Sequence, residues 1–270
     1  MKKIIVPSDF SEVADSAIEY AININKVFNY DIVLLNIAKS SDDVAVAGEK
    51  LRAQAAKYSS NLQTHVSVGD IFDDISKVAS DLGAELIVMG THGLRGLMQF
   101  IVGGNAMRII TNSEIPVIVT QSDNQKTGVS KVLLSLDLNE ETKQGLPMAR
   151  EIAERFGAEI HIVSPDESDE FLRNRILRNH QFAEEYLTKY GLSYKAQFIE
   201  SGSAYHKEVV KYAKYNDIDL ICILNNADEK IIHAFGIDIE QKLITNEADI
   251  PVMVMNETQT YINDGTIFTH

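Results

Sequence analysis

The stretch Glu85-Leu86-Ile87-Val88-Met89-Gly90-Thr91-His92-Gly93, continued at Gly103-Gly104-Asn105-Ala106-Met107-Arg108, decides how the rest of the chain is read. An apolar run breaks at a glycine, a second glycine follows three positions later, and a glycine pair opens a helical pattern. Glycine admits positive φ and lets a ligand come close to the main chain. The free N–H groups of a helix's first turn favour an anion. A buried strand delivering such a loop to a helix has the pattern of a phosphate cradle.

Working back from that loop, residues 3–7 read as a short buried strand and Ser8-Asp9-Phe10-Ser11 as a turn. Ser11 then caps a helix whose apolar positions are Ala14, Ala17, Ile18, Ala21 and Ile22. A second apolar strand is expected over 31–37. A helix follows through Leu51, Ala55 and Leu62, then a strand over 65–68, and Gly69-Asp70 with Asp70 capping a helix over 71–81. The strand 86–89 leads into the glycine loop, and the helix 104–111 returns to a last strand, 116–120. Strands alternating with helices imply a parallel sheet covered on both faces.

The polar segment 121–130 has the composition of a linker. Beyond it the pattern starts again. A shift of 128 places Lys131-Val132-Leu133-Leu134-Ser135-Leu136-Asp137 on Lys3-Ile4-Ile5-Val6-Pro7-Ser8-Asp9 and Phe156 on Phe28. With a small drift in register, Gly202 answers Gly69, Asp219-Leu220-Ile221 answers Glu85-Leu86-Ile87, and Ile250-Pro251-Val252 answers Ile115-Pro116-Val117. A repeat this long implies duplication of a whole domain, because solenoid units recur every 20–50 residues or so. The expected domains are residues 1–122 and 129–257, followed by a polar tail, 258–270.

The 270-residue chain is 45% hydrophobic and 24% charged, in the range of globular proteins. No apolar run is long enough to span a bilayer, and the apolar N-terminal run ends at Pro7, too early for a secretory signal. The single cysteine, Cys222, lies in an apolar run, which excludes an intrachain disulfide and favours a cytoplasmic setting with Cys222 as an inert core residue. A net charge of −14 argues against a nucleic-acid partner. A nucleotide held by backbone amides is still compatible with it.

The glycine spacing, with the opening Lys3-Ile4-Ile5-Val6-Pro7-Ser8-Asp9 and the closing Ile115-Pro116-Val117-Ile118-Val119, resembles the universal stress protein family. The resemblance implies two tandem open parallel-sheet α/β domains, Rossmann-like and related to adenine-nucleotide hydrolases, paired through their last strands as an intramolecular pseudo-dimer. It also implies ATP as the ligand, accompanied by Mg2+. Pro7, Ser8 and Asp9 would surround adenine and ribose with Ile37 and Met89 as apolar walls, and Gly90, His92, Gly93, Gly103, Gly104 and Asn105 would face the phosphates. ATP-binding members usually carry Ser or Thr where this chain has Gly104, so backbone N–H groups would hold the phosphates there without a hydroxyl. By the same resemblance the whole chain could form a homodimer or engage a protein partner.

In the second half the glycine loop is replaced by Asn225-Asn226-Ala227-Asp228-Glu229-Lys230, with Leu224 in place of Gly90 and only Gly236 near the position of Gly103. Two carboxylates where a phosphate would sit disfavour an anion, so this half is read as degenerate. Asp9 has an alternative reading as a turn or capping aspartate, and His92 as a loop histidine without a ligand. No P-loop, dinucleotide fingerprint, paired-cysteine zinc spacing or His-Glu-x-x-His is present. His161 reads as a satisfied strand residue, the aromatics Phe182, Tyr186 and Tyr190 as one packed helix face, and Asp166, Glu167, Asp169 and Glu170 as a solvated loop. With no activated nucleophile or base, nucleotide binding with a regulatory role in the stress response is favoured over turnover. A slow ATP hydrolase and a ligand-free interaction scaffold remain as alternatives.

Overall fold

The structure, a computed structural model, describes residues 2–58, 61–71, 73–91, 104–121, 128–200, 205–225 and 239–257. His92, Gly93, Gly103, the second-half loop 226–238 and the tail 258–270 lie outside the described residues. The first half runs β1 (Lys3–Pro7), α1 (Glu12–Phe28), β2 (Asp31–Ala38), α2 (Val44–Ala55), β3 (Gln63–Val68), α3 (Asp74–Asp81), β4 (Ala84–Thr91), α4 (Gly104–Thr111) and β5 (Val117–Gln121). The second runs β6 (Lys131–Ser135), α5 (Gly145–Phe156), β7 (Glu159–Asp166), α6 (Glu170–Lys189), β8 (Tyr194–Glu200), α7 (Tyr205–Tyr215), β9 (Leu220–Asn225), α8 (Ile239–Ile244) and β10 (Val252–Asn256).

The chain forms two compact units. The first is Met1–Thr127 together with Ile244–Asn256; the second is built on Gly128–Leu243. The sequence boundary at 257 therefore differs from the contacts, which give the end of the second repeat to the first unit. In that unit the strand order is β3-β2-β1-β4-β5-β10. The first five strands are parallel, and β10 closes the edge antiparallel to β5, with Val252↔Val119, Met253↔Ile118 and Val254↔Val117. The expected pairing of the two last strands is present in that register. In the second unit the order is β9-β6-β7-β8, all parallel.

The duplication is visible in the hydrogen-bond register. Lys3 pairs with Asp31 and Ile4 with Ile32, and 128 positions later Lys131 pairs with Glu159 and Val132 with Ile160. Helix α1 ends at Asn29 in the left-handed conformation (φ 55°), and α5 ends at Gly157 (φ 68°), the matching position. Strands β1 and β2 are almost wholly buried and β4 is buried over its apolar run Leu86–Met89, as apolar parallel strands covered on two faces must be. Cys222 is fully buried in β9, and burial pushes its thiol up to about 12.

Ser11 caps α1, accepting from the Ala14 N–H at 3.2 Å. Two helix limits differ from the periodicity. Helix α2 stops at Ala55, leaving Leu62 outside it. Helix α3 starts at Asp74, because the Asp74 carboxylate accepts from the Asp70 N–H (2.8 Å) and Asp70 accepts from the Asp73 N–H (3.3 Å), which winds the preceding residues into a turn. Asp166 is the last residue of β7, Asp169 the N-cap of α6, accepting from Leu172 at 3.0 Å, and Glu170 the first residue of that helix, so of the four acids Glu167 alone lies between the elements. Phe182, Tyr186 and Tyr190 pack in series with centroids 6.5 and 4.9 Å apart. His161 is satisfied between the Tyr212 hydroxyl and Glu159, both at 2.9 Å. Among the described residues no helix is long and apolar enough to cross a membrane.

Candidate functional site

The carboxyl ends of β2, β1 and β4, three neighbouring strands, bring together Pro7, Ser8, Asp9, Ile37, Met89 and Gly90. This is the edge at which an open parallel sheet receives ligands. Ile37 and Met89 are both buried at the ends of apolar strands. Asp9 is exposed just past β1, with Oδ1 accepting from the Ser11 N–H at 3.0 Å. That bond is an Asx turn, so the turn-aspartate reading is realised while one carboxylate oxygen takes no part in it. Phe10, inside the turn, has φ 69°, a strained choice for a bulky residue.

Ser8 is committed to the scaffold. Its N–H donates to the Leu35 carbonyl (2.8 Å), its hydroxyl donates to Gln54 Oε1 (2.6 Å) and accepts from the Phe10 N–H (3.1 Å), and its carbonyl accepts from Asn36 Nδ2 (2.8 Å). Gln54 is buried in α2 and also donates through Nε2 to Asp15 at 2.7 Å. Asp15 in turn receives Lys57 Nζ at 2.9 Å. Burial acts to raise the Asp15 carboxyl, but the bonds from Gln54 and Lys57 together outweigh it and hold the group below the usual range. A single amide thus ties α1 and α2 to the strand end that presents Asp9. Neither Gln54 nor Asn36 stands out in the sequence, where each is one polar residue in an otherwise ordinary helix or strand.

Gly90 has a steric reason to be glycine. A Cβ there would stand 2.5 Å from Val13 Cγ1 and closer still to the Val13 carbonyl oxygen, so the first turn of α1 packs directly on the β4 backbone. The expected close main-chain approach at Gly90 is therefore made by a helix of the same unit. Gly104 and Asn105 are the first two residues of α4. Helix α4 is held along its length: Arg108 pairs with both oxygens of Asp73 (2.8 and 2.9 Å), and Ser76 Oγ donates to the Ile109 carbonyl (3.0 Å). At its far end Asn256 Nδ2 approaches the carbonyls of Ile110, Thr111 and Ser113 at 2.5, 3.3 and 2.7 Å.

The matching edge of the second unit is built differently. Asp137 makes the same Asx turn, accepting from the Asn139 N–H at 2.7 Å. Burial, reinforced by Glu141, raises its carboxyl to about 6 against the opposing bonds from Asn139 and Thr142. Asn179 of α6 donates to the carbonyls of Asp137 and Asn139, both at 3.0 Å. The Tyr205 hydroxyl lies 3.1 Å from Ser135 Oγ, and burial pushes that phenol well above its ordinary value. Side chains of α6 and α7 thus bond directly to the end of β6. Among the described residues no group of three His, Cys, Asp or Glu could hold a metal ion.

An open parallel sheet of this strand order, with helices between its strands, defines an α/β protein of the doubly wound class. Residues 1–121 match the model of the Universal stress protein family. One universal stress protein of Methanocaldococcus jannaschii is 28% identical over 144 residues, covering 46% of this chain and 85% of that protein. Another from the same organism is 26% identical over 156 residues, covering 46% and 96%. Among solved structures, a universal stress protein of Archaeoglobus fulgidus is similar over 94% of this chain and 98% of its own, with a TM-score of 0.71 at 18% identity. A functionally unknown protein of Pseudomonas aeruginosa aligns over 95% and 93%, with a TM-score of 0.64 at 16% identity. Similarity at that level of identity supports the fold and nothing finer.

Proposed function

We propose that the chain is a cytoplasmic regulatory protein that binds one adenine nucleotide, ATP with its Mg2+, at the carboxyl edge of the first unit, and that it does not turn the nucleotide over at an enzymatic rate. The observation that carries this reading is the grouping of Asp9, Ile37 and Met89 on adjacent strand ends within the segment that matches the family model. Asp9 would accept from ribose hydroxyls, the two apolar side chains would flank the base, and the N–H groups opening α4 would face the phosphates, where a helix N-terminus contributes about 0.3–2 kcal/mol. The second unit would serve as architecture, its strand end already bonded to Tyr205 and Asn179.

Calorimetry with ATP on the intact chain tests this directly. One site per chain is expected, weakened in Asp9→Ala by about tenfold or more, the size of a lost hydrogen bond to a charged group. Phosphate release should stay far below about 1 per second, the lower end of ordinary turnover. The competing reading is an interaction scaffold without nucleotide. It is favoured by one observation, that Gly90 and Ser8 are both accounted for by packing and internal hydrogen bonds. Absence of any ATP-dependent heat or thermal shift would select it.

A further inference from the structure

We propose that Asn256, at the end of the last strand, is a positioning residue for helix α4, so that nucleotide affinity in the first repeat depends on a side chain supplied by the second. The inference rests on the nucleotide reading above and adds a residue from the far end of the chain. Helix α4 has eight residues and, like any helix, ends in carbonyls without intrahelical partners. Asn256 meets those of Ile110 and Thr111 and, beyond the helix, that of Ser113, where the chain turns toward β5. In so short a helix, holding the last turn also sets the direction of the first N–H groups, about 10–12 Å away at 1.5 Å per residue.

The arrangement has a counterpart that serves as an internal control. Gln121, at the end of β5, occupies the repeat position of Asn256, and its Nε2 donates to the carbonyls of Asn246 (3.0 Å) and Ile244 (3.4 Å) at the end of α8. Each amide reaches across the β5–β10 pairing to the helix that precedes the other strand. Only the Asn256 amide holds the helix that opens at Gly104. Both bonds stabilise, and only one should affect nucleotide binding.

The test compares Asn256→Ala, Asn256→Gln and Gln121→Ala in the full chain by thermal unfolding, ATP calorimetry and amide exchange over residues 104–113. Expected are similar losses of Tm for the two alanine variants, with faster exchange over 104–113 and about tenfold weaker ATP binding in Asn256→Ala alone, the scale of one lost orienting bond. Asn256→Gln, which keeps the amide, should recover both. Asn256→Ser, with one donor, is the milder variant if Asn256→Ala does not fold, and should give an intermediate loss. Equal loss of ATP affinity in Asn256→Ala and Gln121→Ala, or unchanged exchange in α4, overturns the proposal. If the unaltered chain binds no ATP, the nucleotide reading falls on that result. Exchange over 104–113 then decides separately whether Asn256 holds the helix, with unchanged exchange rejecting it.

Discussion

The two β-strands that open the repeats end in the same Asx turn, yet one end is open and the other is filled. In the first, Asp9 is exposed and the first turn of α1 lies against Gly90. In the second, Asp137 is half-buried, its carboxyl raised to about 6, and Leu224 stands where Gly90 would be. A leucine there cannot admit a helical turn as close as the one at Val13. Residues Glu140–Gln144 form a 3-10 turn, and α5 begins only at Gly145. The helix that packs on Gly90 thus has a counterpart that starts later, in the repeat whose matching strand position is Leu224. A duplicated scaffold keeps its register while the carboxyl edge of its sheet diverges.

The largest effect should come from the filled side. Leu224→Ala removes a buried side chain from β9 and should destabilise the chain by about 2–5 kcal/mol in urea unfolding. A cost below about 1 kcal/mol would show that Leu224 is not a packing element.

Next is the reverse change. Gly90→Leu should cost about 1–3 kcal/mol by overpacking against Val13. It should also abolish ATP binding, since α1 carries the Ser11 cap that the Asp9 turn leads into. Full stability with full binding would show that Gly90 does not set the two strand ends apart.

A pH series addresses the acidic turns. Asp137 is raised in the folded state, so between about pH 4 and pH 6 the folded chain holds a proton that the unfolded chain has released. Its contribution to stability is therefore complete below about pH 4 and lost as the pH rises to 6. Asp137→Asn keeps an acceptor for the Asn139 N–H, and should flatten that slope and gain about 1–2 kcal/mol at pH 7. An unchanged slope would place the pH dependence elsewhere.

The smallest effect is expected at Lys57, whose pair with Asp15 is partly solvated. Lys57→Ala should cost about 0.2–1 kcal/mol and lose its effect at high salt. Asp15 has a lowered carboxyl, so its stabilisation should be present above the unfolded value and fade as the pH falls through the folded one.

Much of the scaffold was legible because its signals are local or periodic. Apolar runs marked the buried strands, the 128-residue shift marked the repeat, and Ser11 marked its own helix start. The early end of α2 and the late start of α3 were not legible, since they depend on tertiary packing and on which acidic side chain captures which N–H. At the candidate site the strand ends carrying Asp9, Ile37 and Met89 could be placed from sequence. The uses of Ser8, Gln54 and Asn256 could not, because an amide that bonds across 46 or 146 residues leaves no trace in local pattern. Gly90 carried two overlapping signals, and only the geometry exposes the packing one.

The β5–β10 register has a consequence for inheritance. Val117 faces Val254 and Val119 faces Val252, so the ladder is nearly symmetric about its centre, where Ile118 faces Met253. In an isologous contact between separate identical chains the central residue meets itself, and any substitution there is made on both sides at once. Within one continuous chain each side can change alone, and Ile opposite Met records such a change. The pairing also forms within one molecule, so it does not weaken on dilution. A lineage carrying this arrangement can alter one half of the seam step by step while the other half keeps its sequence.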